Sequence, residues 1–108
     1  MPSERECDLH QFHEAFQAIA QEVRQRILLL LQERERSVGE VVAAFNLSQP
    51  SISRHLAVLK RAGFVRDRRV GEQVIYTLNE EGIKSCLIGF FSLFECCAPL
   101  VEAFRTQP

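Results

Sequence analysis

Several features that would place this chain in a common protein class are missing. Its first residues, MPSERECDLHQ, are charged and have no apolar core, so we expect no secretory signal. The longest apolar stretch, CLIGFFSLFECCAPLVEAF, is interrupted by Ser92, Glu95 and Pro99, whereas a membrane span needs about 20 apolar residues. No Ser-His-Asp grouping, catalytic carboxylate pair or phosphate-binding glycine loop is present. We therefore expect neither an enzyme nor a membrane protein.

The four cysteines also lack familiar spacings. No C-x-x-C motif occurs, so neither a thioredoxin-like motif nor a zinc ribbon is supported. We expect a cytoplasmic protein, in which thiols stay reduced and cysteines are ligands or sensors more often than disulfides. Cys96 and Cys97 are adjacent at the end of the apolar stretch and call for an explanation.

The overall composition indicates a single domain, residues 1–108, because 46% hydrophobic and 25% charged residues suit one packed globule. A domain of this size often gains stability by pairing with a second copy. The net charge of −1 hides an asymmetry, since six bases and one acid lie between Arg54 and Arg69. A nearly neutral protein with one basic segment can hold a polyanion there.

Apolar periodicity predicts four helices before the end of the basic segment at Arg69. The stretch SVGE from Ser37 has the form of a capping box and starts a short third helix that stops near Asn46. Ser48 caps the fourth helix, with Pro50 in its first turn and Gly63 just past its end. The first helix carries Leu9, Phe12, Phe16 and Ile19, the second Val23, Ile27, Leu30 and Leu31, and the fourth buries Ile52, Leu56 and Leu59.

Two alternating stretches, FVRDRR and QVIYTL, predict a hairpin that turns at VGE. Asn79 caps a last helix, about residues 79–98, which Pro99 ends or kinks, and residues 1–8 form an N-terminal arm. The order is four helices, two strands and a helix. The predicted fold class is therefore mostly α with a β-hairpin wing, a winged helix-turn-helix.

The stretch LSQPSISRHLAVLKRAGFVRDRRVGEQVIYTL, residues 47–78, resembles the ArsR/SmtB family of bacterial winged-helix repressors. VRQRILLLL, residues 23–31, is similar to that family's second helix, and together the similarity covers about two thirds of the chain. The resemblance implies a homodimer that pairs through the first and last helices. It also implies release from DNA when a metal, metalloid or redox signal arrives.

Two sensor sites of that family are absent from this sequence. Residues 37–48 contain no cysteine, so the thiol-rich motif of the third helix is missing. The stretch NEEGIKS, residues 79–85, has no histidine, so the nitrogen-and-oxygen zinc site of the last helix is missing as well. Neither site can be transferred to this chain.

Polar and basic groups on the fourth helix and the wing are predicted to contact double-stranded operator DNA. Short donors and a forked guanidinium read base edges and phosphates in a major groove, and the helix N-terminus attracts phosphate. His55 is either one of these groups or a hydrogen-bonded structural histidine. The predicted DNA-binding residues are Ser48, Gln49, Ser51, Ser53, Arg54, His55, Arg66, Arg68 and Arg69.

Cys96 and Cys97 are the predicted metal ligands, because two soft thiolates favour a thiophilic ion over magnesium, calcium or manganese. A frayed helix end beside Pro99 can aim both sulfurs at one centre, and a helix C-terminus keeps both thiols protonated. Cys7, on the N-terminal arm, is the predicted third ligand. Cys86 is the fallback, although it lies about 15 Å from Cys96 on one helix. Packing at the dimer interface is the alternative role for the adjacent pair.

The predicted function is a DNA-binding transcriptional repressor that leaves its operator when As(III) or Sb(III), or another thiophilic metal ion, binds the cysteines. The family resemblance supplies that class of inducer. Two alternatives stay open: a redox- or persulfide-responsive repressor of the same fold, and a winged-helix protein-interaction module that does not bind DNA.

Overall fold

The fold was obtained as a computed structural model, which describes the backbone of residues 4–106 and the side chains of residues 9–106. Nine helices and strands follow in order: α1 Glu4–Ile19, α2 Glu22–Glu33, β1 Arg36–Ser37, α3 Val38–Ala44, α4 Gln49–Arg61, β2 Val65–Val70, β3 Gln73–Leu78, α5 Glu80–Phe91 and α6 Ala98–Arg105. A 3₁₀ turn at Glu95–Cys97 joins α5 to α6. The predicted fold, mostly helical with a hairpin wing, is confirmed. None of the described helices combines the length and apolar character that a bilayer crossing requires.

Both predicted helix caps of the helix-turn-helix are present. Ser37 Oγ accepts a hydrogen bond from the Glu40 amide, and Glu40 Oε1 accepts one from the Ser37 amide, each at 3.1 Å. Ser48 Oγ accepts from the Ser51 amide at 3.3 Å, and Pro50 lies in the first turn of α4. Because these caps satisfy amides that have no partner inside the helix, they fix where α3 and α4 begin.

The core forms around the inner face of α4. Ile52, Leu56 and Leu59 are fully buried, and they belong to one cluster with Ile27 of α2 and Val41 of α3. Burying such a side chain is worth about 1.5–3 kcal/mol. The inner face of α4 therefore anchors the helix, which leaves its outer face free to meet a ligand.

The wing is the antiparallel hairpin β2–β3, in register from Val65 opposite Leu78 to Val70 opposite Gln73. Gly71 opens its two-residue turn with φ 62°, a conformation that glycine adopts without strain. The sequence analysis missed β1, which pairs antiparallel with β3 and makes the sheet order β1-β3-β2. A strand of two residues is too short to show alternation.

The C-terminal segment differs from the predicted long helix. Helix α5 ends at Phe91 instead of near residue 98, and the Ser92 hydroxyl donates to the Ile88 carbonyl at 2.6 Å as the chain leaves the helix. Pro99 lies in the first turn of α6 and does not terminate α5. Inside a continuous helix Pro99 would remove a hydrogen bond and clash with the preceding turn, whereas in the first turn of a new helix it does neither.

The N-terminal prediction was also wrong in part. Helix α1 begins at Glu4, so most of the predicted arm of about residues 1–8 is helical. Residues 4–8 contain no glycine or proline to stop a helix that continues through Leu9 and Phe12. Met1–Ser3 lie outside the described residues.

Candidate nucleic-acid interface and thiol pair

The outer face of α4 presents the polar residues that the sequence predicted. Gln49, Ser53 and Arg54 are exposed and Ser51 is half-buried. The Ser48 hydroxyl is engaged as the cap of α4, so it contributes by fixing the helix start as well as by its position. The structure thus brings the predicted α4 residues together on the first two turns of one exposed helix face.

His55 is half-buried beside this face. Burial lowers the pKa of its imidazole, and the positive charges of Arg24 and Arg54 lower that pKa further. Both effects keep the ring neutral at physiological pH, so it offers one donor and one acceptor. A neutral, half-buried imidazole is compatible with each of the two roles that the sequence left open.

On the wing, Arg68 is already paired. Its two terminal nitrogens donate to the Glu35 carboxylate at 2.6 and 2.8 Å, and the hydrogen bond from Arg68 lowers the pKa of Glu35. Glu35 lies between α2 and β1, 33 residues away in sequence. The pair ties the wing to the end of α2 and neutralises one of the predicted DNA-binding charges, a contact that no local sequence pattern indicates.

A second ion pair joins α4 to the wing, because Lys60 Nζ lies 3.0 Å from Asp67 Oδ2. The other predicted cations are less engaged. Arg69 Nε donates to the Gly71 carbonyl at 3.2 Å, and neither Arg54 nor Arg66 forms an ion pair with a carboxylate among the described side chains. Arg54, Arg66 and Arg69 therefore keep their charge for an external anion.

The end of α4 and the start of α5 meet at a compact joint. Asn79 Nδ2 donates to the Gly63 carbonyl at 2.8 Å, while its Oδ1 accepts from the Gly82 amide at 3.3 Å. Gly63 has φ 86°, and a Cβ on Gly82 would clash with the Gly63 carbonyl oxygen and with the Asn79 side chain. The backbone at the start of α5 therefore lies directly against the residue that follows α4. We call Gly63, Asn79 and Gly82 the α4–α5 joint.

The structure places Cys96 and Cys97 side by side in the 3₁₀ turn, with their sulfurs 3.8 Å apart. Two sulfurs bound at about 2.3 Å to one tetrahedral metal also lie about 3.8 Å apart. Cys96 is exposed and Cys97 half-buried, so Cys96 is not core packing within the subunit. The predicted convergence of the two sulfurs is present, although it arises from a 3₁₀ turn and not from a frayed helix end.

The Cys97 thiol is not kept protonated by a helix C-terminus, as the sequence analysis predicted, but by its local surroundings. Cys97 lies at the N-cap of α6, not at a helix C-terminus, so the helix dipole does not disfavour its thiolate. Instead, burial raises the pKa of the Cys97 thiol, and the hydrogen bond and charge of neighbouring Cys96 raise that pKa further. A protonated Cys97 at neutral pH follows from these local causes.

The third ligand is not found among the described side chains. The Cys7 side chain lies outside them, and within them no three His, Cys, Asp or Glu residues gather into a metal site. Cys86 is half-buried on α5, and among the described side chains it does not gather with Cys96 and Cys97 into a three-ligand group. Burial raises the pKa of the Cys86 thiol, as expected of a packing cysteine.

An aromatic cluster covers the faces of α1 and α5 that were predicted to pair. Phe90 packs edge-on against Phe12, Phe16 and Phe94, with ring centroids 4.7–5.6 Å apart. Phe94, Leu100 and Phe104 are exposed, and α5 has no buried residue. An apolar surface of this kind lies outside the core of the subunit.

Comparison with known proteins supports this fold. Residues 21–67 match the profile of the family described as "Bacterial regulatory protein, arsR family". The chain is 42% identical over 64 residues to the transcriptional repressor SdpR of Bacillus subtilis, covering 59% of this chain and 71% of SdpR. It is 48% identical over 67 residues to the arsenic resistance transcriptional regulator ArsR1 of Pseudomonas putida, covering 61% of this chain and 52% of ArsR1.

Among solved structures, reduced HlyU from Vibrio cholerae superposes with a TM-score of 0.65 at 35% identity, covering 85% of this chain and 97% of HlyU. These relatives are transcriptional regulators and not enzymes. The match to ArsR1 spans only about half of that protein's length. The helix-turn-helix, the wing and these matches together show that the chain belongs to the ArsR/SmtB family of DNA-binding transcriptional regulators.

Proposed function

We propose that the protein is a homodimeric repressor that binds an operator through α4 and leaves it when trivalent arsenic or antimony binds Cys96 and Cys97. The observation that carries the inducer class is the 3.8 Å separation of the two sulfurs on a partly exposed turn. An adjacent pair is a poor disulfide, because its Cα atoms are about 3.8 Å apart and a disulfide needs at least about 4.4 Å. Capture of a thiophilic species is the chemistry that this geometry favours.

Operator binding is supported by the contrast between the two faces of α4. Its inner face is fully buried, while Gln49, Ser53 and Arg54 on its outer face are exposed and have no competing ion pair among the described side chains. Ser48, Ser51 and His55 complete the predicted α4 surface. Arg66 and Arg69 supply the wing charge, and Arg68 contributes only if its pair with Glu35 opens.

Dimerisation is supported by the aromatic cluster of α1 and α5. Phe94 is 45% exposed although it packs against Phe90, and Leu100 and Phe104 of α6 are exposed as well. A second copy that buries these side chains removes apolar surface from water at about 25 cal/mol per Å². A two-fold dimer then presents two α4 helices to the two halves of a palindromic operator.

The chemistry of capture is balanced without an added oxidant. Arsenous acid reacts with two thiols as As(OH)₃ + 2 RSH → (RS)₂AsOH + 2 H₂O, in which two As–O bonds are replaced by two As–S bonds. A third thiol displaces the remaining hydroxide as water. Cys7 is the proposed third ligand, because none of the described side chains fills that role within the subunit.

The proposed coupling to DNA runs along the C-terminal segment. A bound ion makes the 3₁₀ turn rigid, and this turn connects α6 to the end of α5. Movement of α5 in the dimer reaches α4 at the α4–α5 joint, because Gly82 and Gly63 are in backbone contact. Only a modest coupling is required, since about 1–3 kcal/mol changes DNA affinity by about 5–150-fold.

The direct test is a DNA-binding titration of Cys96→Ser/Cys97→Ser with arsenite and antimonite, alongside Cys86→Ser as the matched thiol control. The double variant is expected to bind operator normally and to ignore both inducers. Cys86→Ser is expected to respond like the natural sequence, because that thiol packs inside the subunit. A double variant that is still released by arsenite would exclude these cysteines as the sensor, and release by oxidant alone would favour redox sensing.

The pH dependence separates arsenous acid from a divalent metal. The raised pKa of Cys97 keeps its thiol protonated at neutral pH, so binding of a cation such as Cd²⁺ must expel that proton. Cadmium affinity is therefore expected to rise by about tenfold per pH unit for each displaced proton. Arsenous acid consumes the proton as water, so its affinity is expected to stay level between about pH 6 and 8. Isothermal titration calorimetry at several pH values measures the cadmium affinity and the arsenite affinity.

A further inference from the structure

A cleft of about 490 Å³ lies between the end of α1, the start of α2 and the second half of α4. Its walls include Gln17, Gln21, Arg24 and Arg61, while Ala18 and Val58 line its apolar part. The cleft thus combines two guanidinium groups with two side-chain amides. It is separate from the thiol pair and does not include the predicted DNA-reading residues of α4.

Arg24 is the unusual residue of this cleft. It is only 8% exposed, and its Nε is buried without a hydrogen-bond partner. One terminal nitrogen of Arg24 donates a hydrogen bond, at 3.3 Å, to the carbonyl of Gln17 in the last turn of α1. No described carboxylate forms an ion pair with Arg24. A buried guanidinium with five donors is costly unless its charge is compensated.

Glu14, the acid in the lining of the cleft, does not compensate the charge of Arg24. Glu14 borders the cleft, but its carboxylate faces His10 on the same helix, with His10 Nε2 and Glu14 Oε1 3.4 Å apart. Arg61 also lines the cleft, is exposed and adds a second cation. The charge of Arg24 also lowers the pKa of His55, so its positive field extends toward α4.

We propose that this cleft binds a phosphate-type oxyanion between Arg24 and Arg61. Two guanidinium groups offer the paired donors that a tetrahedral oxyanion accepts, and the amides of Gln17 and Gln21 supply neutral donors beside them. The oxyanion is either a free inorganic ion or a phosphate of the DNA backbone. Both share this chemistry. A phosphate of the DNA backbone is one of the two sources because Arg61 lies on α4, seven residues after Arg54 and on the same side of the helix.

The test titrates the full chain with sodium phosphate and with sodium sulfate, against sodium chloride at equal ionic strength. Amide chemical shifts of residues 17–24 and 58–62 are expected to change saturably with phosphate and sulfate. Arg61→Gln is expected to weaken that binding by about tenfold, since a charge-assisted hydrogen bond is lost. Arg61 is exposed, so this change leaves the fold intact.

Arg26→Gln is the matched control, because Arg26 lies on α2 two residues from Arg24 but is exposed and paired with Glu22 at 2.7 Å. It is expected to leave the phosphate affinity unchanged. Arg24→Lys, which keeps the charge but loses the fork, is expected to weaken phosphate binding with little change in melting temperature. Equal shifts with chloride, or an unchanged affinity in Arg61→Gln, would overturn the proposal.

A second arm identifies the source of the oxyanion, using a duplex of arbitrary sequence. If the duplex displaces phosphate, and Arg61→Gln lowers the salt slope of duplex binding by about one, the cleft takes a backbone phosphate. If phosphate binds the protein–DNA complex as tightly as the free protein, the ligand is a free oxyanion. Either result supports an oxyanion site.

Discussion

The two halves of the molecule differ in how completely they bury themselves. All ten members of the main core cluster lie between Ala15 and Val65, and they surround α4. Between Val65 and Thr106, the last described residue, Val101 is the one buried hydrophobic residue, and α5 has none. The core around α4 is therefore complete within one subunit. The segment that carries the thiol pair leaves Phe94, Leu100 and Phe104 exposed.

The largest expected effect tests this contrast through stability. Leu56→Ala, in the fully buried face of α4, should lower the free energy of unfolding by about 3 kcal/mol, because it leaves a cavity. Phe94→Ala should cost less than about 1 kcal/mol in a dilute, monomeric sample, because Phe94 is 45% exposed. Urea unfolding measures the free energy of unfolding of both variants. An equal loss in the two would contradict the contrast between the buried core around α4 and the exposed C-terminal segment.

Next in size is the effect on association. Phe94→Asp should weaken dimerisation by at least about tenfold, since a buried carboxylate at an apolar interface is costly. Val70→Asp, at the exposed tip of the wing, is the control and should leave the association constant unchanged. Sedimentation equilibrium without DNA measures both, and a dimer of undiminished affinity in Phe94→Asp would place the interface elsewhere.

The remaining predictions compare the charges of α4 and the wing. Arg54→Ala should weaken operator binding by about 1–3 kcal/mol, because Arg54 is exposed on α4 and unpaired among the described residues. Arg68→Ala should change the salt slope by less than one, because Glu35 already neutralises Arg68.

Glu35→Gln sharpens the same comparison. It releases Arg68 and should raise the salt slope by up to about one phosphate contact. Fluorescence anisotropy with labelled operator at several salt concentrations gives all three slopes. A full unit of slope lost in Arg68→Ala would mean that the pair with Glu35 opens on DNA.

Local chemistry made much of this fold predictable. Ser37 and Ser48 could be recognised as caps because a cap is decided by a few neighbouring residues, and Gly63 because a helix often ends where a positive φ is needed. The stripe of buried residues on α4 follows from helical periodicity in the same way.

What could not be predicted depends on residues that are distant in sequence or on a choice between two local solutions. The pair of Arg68 with Glu35 spans 33 residues. The break after Phe91 was missed because Pro99 can either end one helix or begin the next, and packing decides between them. The cleft of Arg24 was missed because a buried guanidinium on an amphipathic helix has no distinctive pattern.

The α4–α5 joint has a consequence for how such a protein can change its inducer. The joint is formed by the backbone at Gly63 and Gly82 and by one side chain, Asn79, so it does not depend on which ligands lie further along the chain. The 3₁₀ turn and α6 take no part in that contact. For the proposed sensor, a designer who wants a new inducer should therefore vary the 3₁₀ turn and α6, and leave Asn79, Gly82 and the aromatic cluster of Phe90 as they are.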